Sequence, residues 1–330
     1  MWYVKCNMEV IYLTKVYAKP TRVAIIGAGF VGSSFAYSLT QSGLVSEITL
    51  IDIDHKKAEG EAMDINHGME FVNPVKVWAG DYADTKEADV IVITAGANQK
   101  PGETRLDLAK KNAAITKSIC QEIVKYTKNA IIVMTANPVD VLTYVAIKET
   151  GYPVNRVFGS GTLLDTARFR YLLGEHLEVD PRSVHAYIIG EHGDSELPVW
   201  SSAAVGGVQL NKFCHKHPPD VCKRKLNSIF DQVKNAAYEI IERKGATYYA
   251  IGWGLKRIVE AIILDQKSVL TVSVLLDNYL GISDVCLGVP VVVGRDGVAR
   301  VGELELNEDE VTNRRQSAAV LSNAQKSLGY

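Results

Sequence analysis

In the segment Gly190-Glu191-His192-Gly193-Asp194 an imidazole stands between two glycines, directly after the apolar run Ala186–Ile189. That pattern reads as a strand end opening into a loop, where a side chain can reach a bound molecule while the backbone stays anchored. Histidine titrates close to working pH, so His192 can give up or take a proton. A turn histidine alone says little; its company matters. In Leu163-Leu164-Asp165-Thr166-Ala167-Arg168-Phe169-Arg170, helical spacing puts Asp165 and Arg168 on one face and turns Arg170 away from it. A carboxylate can fix the tautomer of an imidazole, and a guanidinium offers two parallel donors to a planar carboxylate as a lysine would not.

A second chemistry-bearing stretch is Gly27-Ala28-Gly29-Phe30-Val31-Gly32, which fits G-x-G-x-x-G. With twenty-six glycines in the chain the string alone is weak, but its setting is specific. It follows the apolar run Val23–Ile26 and opens a helical pattern through Phe35 and Leu39, as in turns that bring backbone amides to a pyrophosphate. Asp52 ends the next apolar run twenty positions after Gly32, where a carboxylate accepts ribose hydroxyls and repels a 2′-phosphate. The expected cofactor is therefore NAD, held by Gly27, Gly29, Phe30, Val31, Gly32 and Asp52.

The elements that must position these residues change rhythm along the chain. From Arg22 to Phe158, short β-branched, largely apolar runs (Val23–Ile26, Ile48–Ile51, Val75–Trp78, Val90–Thr94, Ile131–Thr135, Val157–Phe158) alternate with helical patterns. Such runs suit parallel strands covered on both faces, so the class is α/β, a Rossmann-type doubly wound sheet. Beyond Gly161 come helices over Leu163–Leu177, Val221–Lys244 and Tyr248–Leu264, strands over Val269–Leu276 and Val289–Val293, and a charged helix from Glu308. The expected organisation is an N-terminal extension over 1–20, an NAD-binding unit over 21–161 and an α+β substrate unit over 162–330, tightly joined. At 330 residues, 47% hydrophobic and 22% charged, the chain has material for two cores. A net charge of -2 gives no footprint for nucleic acid or an anionic membrane. Five scattered cysteines without a CxxC pair suggest no disulfide framework and fit a reducing cytoplasm. The opening stretch, broken by Lys5, Glu9, Lys15 and Lys19, reads as neither signal peptide nor membrane span.

From Arg22 to its end the chain resembles the lactate/malate dehydrogenase family. The resemblance rests on Gly27–Gly32, Gly96–Arg105, Ala136-Asn137-Pro138-Val139-Asp140, Leu164–Arg168 and Gly190–Asp194, in that order. It implies that His192 is the proton donor and acceptor, that Asp165 orients it and that Arg168 anchors the substrate carboxylate. Arg105 would close over the substrate from a segment that also carries Pro101 and Gly102, and Asn137 would contact both the nicotinamide and the reacting oxygen. Gln99 falls where malate-specific members carry arginine, so the resemblance implies a monocarboxylic substrate, pyruvate or L-lactate. A neutral amide compensates a buried second carboxylate poorly, a penalty of several kcal/mol by order of magnitude. Thr247 matches the position limiting room for the substrate side chain, and Ile251 could underlie the nicotinamide or simply belong to the core.

Arg170 and His185 match the pair that binds fructose 1,6-bisphosphate across a two-fold interface in bacterial lactate dehydrogenases. The implied assembly is a homotetramer activated by that sugar, two cations per subunit suiting two phosphates. Three other readings stay open: malate as the substrate, an NAD-dependent glycosidase with a metal, and an NAD-binding protein without catalysis. Cys214, His215, His217 and Cys222 resemble metal ligands superficially, but they lie outside the matching strings beside Pro218 and Pro219, and no metal is expected.

Overall fold

The computed structural model describes residues 19–98, 102–213 and 219–330. Six apolar runs form parallel strands: β1 (Arg22–Ile26), β2 (Glu47–Ile51), β3 (Lys76–Ala79), β4 (Val90–Ile93), β5 (Ile131–Met134) and β6 (Val157–Gly159). Their order in the sheet is β3-β2-β1-β4-β5-β6, so the chain reverses direction of growth between β1 and β4. In such sheets ligands bind outside the carboxyl ends of the strands at that reversal. The covering helices are α1 (Phe30–Ser42), α2 (His55–His67), α3 (Arg105–Tyr126), α4 (Val139–Thr150) and α5 (Leu163–Leu177). β4 and β5 are buried at every position, as strands covered on both faces must be.

The second half contributes short strands β7 (Val184–His185), β8 (Ile188–Ile189), β9 (Leu197–Pro198), β10 (Ala204–Val205) and β11 (Val208–Gln209). Helices α6 (Leu210–Phe213), α7 (Pro219–Lys244) and α8 (Tyr249–Ile263) follow, then β12 (Ser268–Leu276), β13 (Val285–Gly294), β14 (Gly297–Val301) and α9 (Glu308–Ser327). β12 runs antiparallel beside β6 through Ser273 and Gly159, and β13 and β14 follow it. One nine-stranded sheet therefore crosses both halves. One apolar cluster joins Val23, Ile25 and Leu50 to Ile258, Val272, Leu287 and Val291, so the halves share a core. Each such side chain, fully removed from water, contributes about 1.5–3 kcal/mol.

Local signals explain the helix starts. Thr104 and Asp107 form a capping box on α3, and Asn307 and Glu310 do the same on α9. The expected α/β class and strand runs are met, whereas the short strands β7–β11 carry too few residues for a periodicity to register. Cys120 and Cys286 are buried free thiols, but Cys222 in the first turn of α7 is disulfide-bonded. The expectation of no disulfide framework is thereby limited by one bond at Cys222, which the absence of a CxxC pair did not signal. No helix among the described residues is long and apolar enough to cross a membrane.

Candidate functional site

The glycine turn after β1 is shaped by close approaches. Gly27 has φ of 110°, and a Cβ on Gly32 would lie 1.9 Å from the Gly27 carbonyl oxygen, so neither position admits a side chain. Thr94 Oγ1 donates to the same carbonyl at 2.8 Å and fixes the turn to the end of β4. A Cβ on Gly29, by contrast, would meet nothing within 4 Å, and Gly29 caps α1 without any side-chain bond. The N-terminus of α1 thus has open space beside Gly29 at the sheet's reversal point, which fits a pyrophosphate. Asp52 Oδ2 accepts from the Ala28 amide at 2.6 Å and Oδ1 from the Asp54 amide at 2.9 Å. With one bond on each oxygen, the carboxylate keeps lone pairs for ribose hydroxyls. Phe30 is 68% exposed and stacks on Tyr248 at 5.2 Å, bridging the turn to α8; Val31 packs half-buried against the core. The residues present fit NAD.

Asp165, His192 and Arg168 come together as expected. Asp165 is 2% exposed, and its two oxygens are divided: Oδ2 lies 2.5 Å from His192 Nδ1, and Oδ1 accepts from Arg168 Nη1 at 2.9 Å. The His192 loop is anchored on three sides. Gly190 exchanges two backbone bonds of 2.9 Å with Gly288 of β13, Glu191 N donates to Ser317 Oγ at 2.7 Å, and His192 N donates to Asp140 Oδ2 at 2.7 Å. A buried chain of hydroxyls holds α5 in place: Thr162 and Thr166 both donate to the Ile188 carbonyl, and Thr271 of β12 donates to Thr166.

Arg105 opens α3 and reaches across to the His192 loop. It is ion-paired with Asp194, and its Nη2 donates to Tyr238 Oη of α7 at 3.0 Å. Asn137 is exposed in the turn after β5, with its carbonyl accepting from Asn112 Nδ2 at 2.7 Å. Thr247 lies half-buried in the link between α7 and α8 and enters none of these hydrogen bonds, and Ile251 packs against the core. Arg170 points away from Arg168, as its spacing predicts. Its Nε donates to the Ala186 carbonyl at 2.9 Å and its guanidinium covers the Tyr187 ring at 5.1 Å, beside the exposed His185. Gln99, Cys214, His215 and His217 lie outside the described residues, as does the N-terminal stretch through residue 18.

Three residues at the site escaped the sequence reading. Asn112, 2% exposed, bonds both the amide and carbonyl of Ala97 as well as the Asn137 carbonyl, tying two crevice loops together. Asp140 is equally buried beneath the His192 amide, and Glu196 is 6% exposed beside Asp165 and His192. Asp140 closes one quoted string without having been given a role and Glu196 follows another by two positions, and a charge placed before an apolar run was the available signal for both.

Opposed environments set the charges. The Asp165 carboxylate raises the His192 imidazole to about 9 against the effect of burial. Burial pushes Asp165 up, but His192 and Arg168 outweigh it and hold its carboxyl below the ordinary value. Asp140 is pushed up to about 6 by burial. A histidine pKa raised on folding stabilises fully below the unfolded value of 6.5, and that stabilisation is lost as pH rises through about 9. The difference in melting midpoint between the parent protein and His192→Asn should accordingly shrink from pH 6 to pH 9.5. A constant difference in scanning calorimetry would show that the imidazole carries no shifted proton.

Comparison with known proteins agrees with this geometry. Residues 21–159 match the model of the lactate/malate dehydrogenase NAD binding domain, and residues 162–328 match that of the lactate/malate dehydrogenase alpha/beta C-terminal domain. An L-lactate dehydrogenase of Acetivibrio thermocellus is 53% identical over 309 residues, covering 93% of this chain and 97% of the relative. One from Priestia megaterium is 52% identical over 312 residues, covering 93% and 96%. Among solved structures, a lactate dehydrogenase from a Medee basin deep-sea metagenome superposes with a TM-score of 0.92 at 45% identity, over 95% of this chain and all of that one. The minor L-lactate dehydrogenase of Enterococcus mundtii, in a ligand-bound form, gives 0.91 at 44% identity over 94% and 99%. With an NAD-binding turn, a shared sheet and both family domains in order, the chain belongs to the lactate/malate dehydrogenase family.

Proposed function

We propose that the chain is an NAD-dependent L-lactate dehydrogenase, reducing pyruvate to L-lactate reversibly with His192 as the acid–base group. The observation that carries this reading is the division of the Asp165 carboxylate between His192 Nδ1 and Arg168 Nη1. With Nδ1 engaged, Nε2 is the nitrogen left to exchange a proton with substrate. In reduction, Nε2 gives its proton to the carbonyl oxygen of pyruvate, and in the reverse direction it takes the hydroxyl proton of lactate. The hydride added to or removed from C2 is the contribution of the bound nicotinamide cofactor. Arg168 orients the substrate carboxylate through parallel donors, and Asp165 stabilises the imidazolium that waits for substrate. Arg105, released from Asp194, turns to the carbonyl oxygen and polarises it while water is expelled. The two working units are residues 21–161, carrying the cofactor, and 162–330, carrying the acid–base pair, with Asn137 of the first unit contacting both the nicotinamide and the reacting oxygen.

Substrate choice is assigned to Gln99 and Thr247, the first offering no cation to a second carboxylate and the second restricting the side-chain space. Malate dehydrogenase chemistry is the alternative these two residues oppose. Arg170 and His185 are assigned to an anion site for fructose 1,6-bisphosphate between subunits of a cytoplasmic homotetramer. The half-buried Arg170 guanidinium, held at Ala186 and Tyr187, lies one residue from the exposed His185 in the strand it packs on, and that pairing of cationic side chains supports the assignment.

His192→Asn should lower pyruvate turnover by about a thousandfold while NADH binding, followed by fluorescence, persists. Turnover equal to the parent's would refute the assigned role. Gln99→Arg should shift the ratio of kcat/KM for oxaloacetate over pyruvate upward on the order of tenfold or more; an unaltered ratio would place substrate choice elsewhere. Fructose 1,6-bisphosphate should lower the pyruvate concentration for half-maximal rate, and Arg170→Gln should abolish that response. The regulatory assignment fails if the sugar leaves the parent's value unmoved.

A further inference from the structure

Glu196 has no part in the mechanism above, yet it is the third member of a tight group. Its carboxylate oxygen, one from Asp165 and a His192 ring nitrogen all lie within 4.8 Å of one another. The turn that delivers it is closed by its own amide, which donates to the Gly193 carbonyl at 3.2 Å. Leu197 and Val199, 3% and 0% exposed, then draw the chain inward and take Glu196 with them. Oε1 of Glu196 is buried and has no hydrogen-bond partner among the described residues. An ionised oxygen in that position would be an uncompensated buried charge, costing several kcal/mol by order of magnitude.

We infer that Glu196 is a positioning residue that must keep its proton for the His192, Asp165 and Arg168 group to hold a monocarboxylate. The inference rests on the reading of His192 as the acid–base group. Asp165, protonated His192 and Arg168 together carry one positive charge, which complements a single substrate carboxylate. An ionised Glu196 cancels it. The other charges facing Glu196 are those of Asp165 and Arg168 on α5, His192 in the loop and Lys234 on α7, with Asp140 of α4 acting on the far side of the imidazole. Burial and the Asp165 carboxylate raise the Glu196 carboxyl, and the cations only partly oppose them. Two carboxyls sharing one pocket rarely both ionise. Asp165 has two strong partners and Glu196 Oε1 has none, so Asp165 keeps the charge and Glu196 the proton.

The consequence is a specific alkaline loss. As pH rises, pyruvate binding falls because two protons leave, one from Glu196 and one from His192, rather than one. The test is kcat and KM for pyruvate from pH 6 to 10 in the parent, Glu196→Gln, Glu196→Asp and His192→Asn. In the parent, log(kcat/KM) should descend with a limiting slope of two protons. In Glu196→Gln, which is neutral at every pH, the slope should be one, and KM at pH 9 should be about threefold or more below the parent's, with kcat following the same curve in both. Glu196→Asp should restore the slope of two. A merely structural role would instead scale kcat/KM by one factor at all pH values. A Glu196→Gln curve parallel to the parent's overturns the inference but leaves the His192 assignment intact; full turnover in His192→Asn overturns both. Should the Gln variant not fold, the labelled His192 imidazole in the parent protein provides the same decision. Its resonance should titrate in two steps as Glu196 ionises beside it, and a single step overturns the inference.

Discussion

The arrangement depends on one carboxylate that is denied water and shared. Asp165 is almost wholly buried, and an isolated charge at such a depth would cost far more than any single contact returns. It persists because each oxygen has a charged or chargeable partner, His192 on one side and Arg168 on the other. The same division fixes the imidazole tautomer and aims the guanidinium. Removing either partner leaves the carboxylate underpaired, so His192 and Arg168 are coupled through Asp165 and, in the proposed mechanism, cannot be tuned separately.

Such a pair works only if the helix that carries it cannot shift against the loop that carries the histidine. Asp165 and Arg168 ride on α5, and His192 follows β8. The Thr162, Thr166 and Thr271 hydroxyls lock those elements together around the Ile188 carbonyl, where apolar packing alone would allow sliding. β13 holds the other side of the loop through the paired Gly190 and Gly288 bonds. Because β12 and β13 continue the sheet begun by β1–β6, the His192–Asp165 pair and the glycine turn are built on one continuous sheet. A crevice built on two independently hinged sheets would have to find that alignment anew at each turnover.

How far this was legible in the sequence differs by residue. Asp165, Arg168 and their common face follow from helical spacing, and the glycine turn with Asp52 follows from a strand, a helix and a distance along the chain. The β-branched runs gave the six parallel strands, most clearly β4 and β5, where burial on both faces leaves no polar position to blur them. The pairing of His192 with Asp165 is a contact between residues twenty-seven positions apart that no periodicity encodes, and only the family resemblance anticipated it. Asn112, Asp140 and Glu196 were illegible for a further reason. A buried polar residue looks like a surface one in a sequence, and what distinguishes it is the partner that folding supplies. The extension of the sheet by β12–β14 is likewise a statement about edges, which pattern alone does not assign.

The contact between Arg105 and Asp194 bears on the partner change proposed for Arg105. Both side chains are largely exposed, 69% and 60%, so the pair stands in solvent where such bridges contribute about 0–1 kcal/mol. Tyr238 adds one neutral-to-charged hydrogen bond to the same guanidinium. In the proposed mechanism Arg105 leaves this pair for a carbonyl oxygen in a pocket from which water has been driven. The Coulomb attraction per charge is several times larger there than at the surface. The surface pair is strong enough to hold the guanidinium near the His192 loop and too weak to keep it from a dry, negatively polarising oxygen. Asp165 and Arg168 show the opposite balance: only 3% and 14% of their side chains are exposed, and they do not part. In the proposed mechanism, burial therefore separates the residues that stay fixed through the reaction from the one that moves.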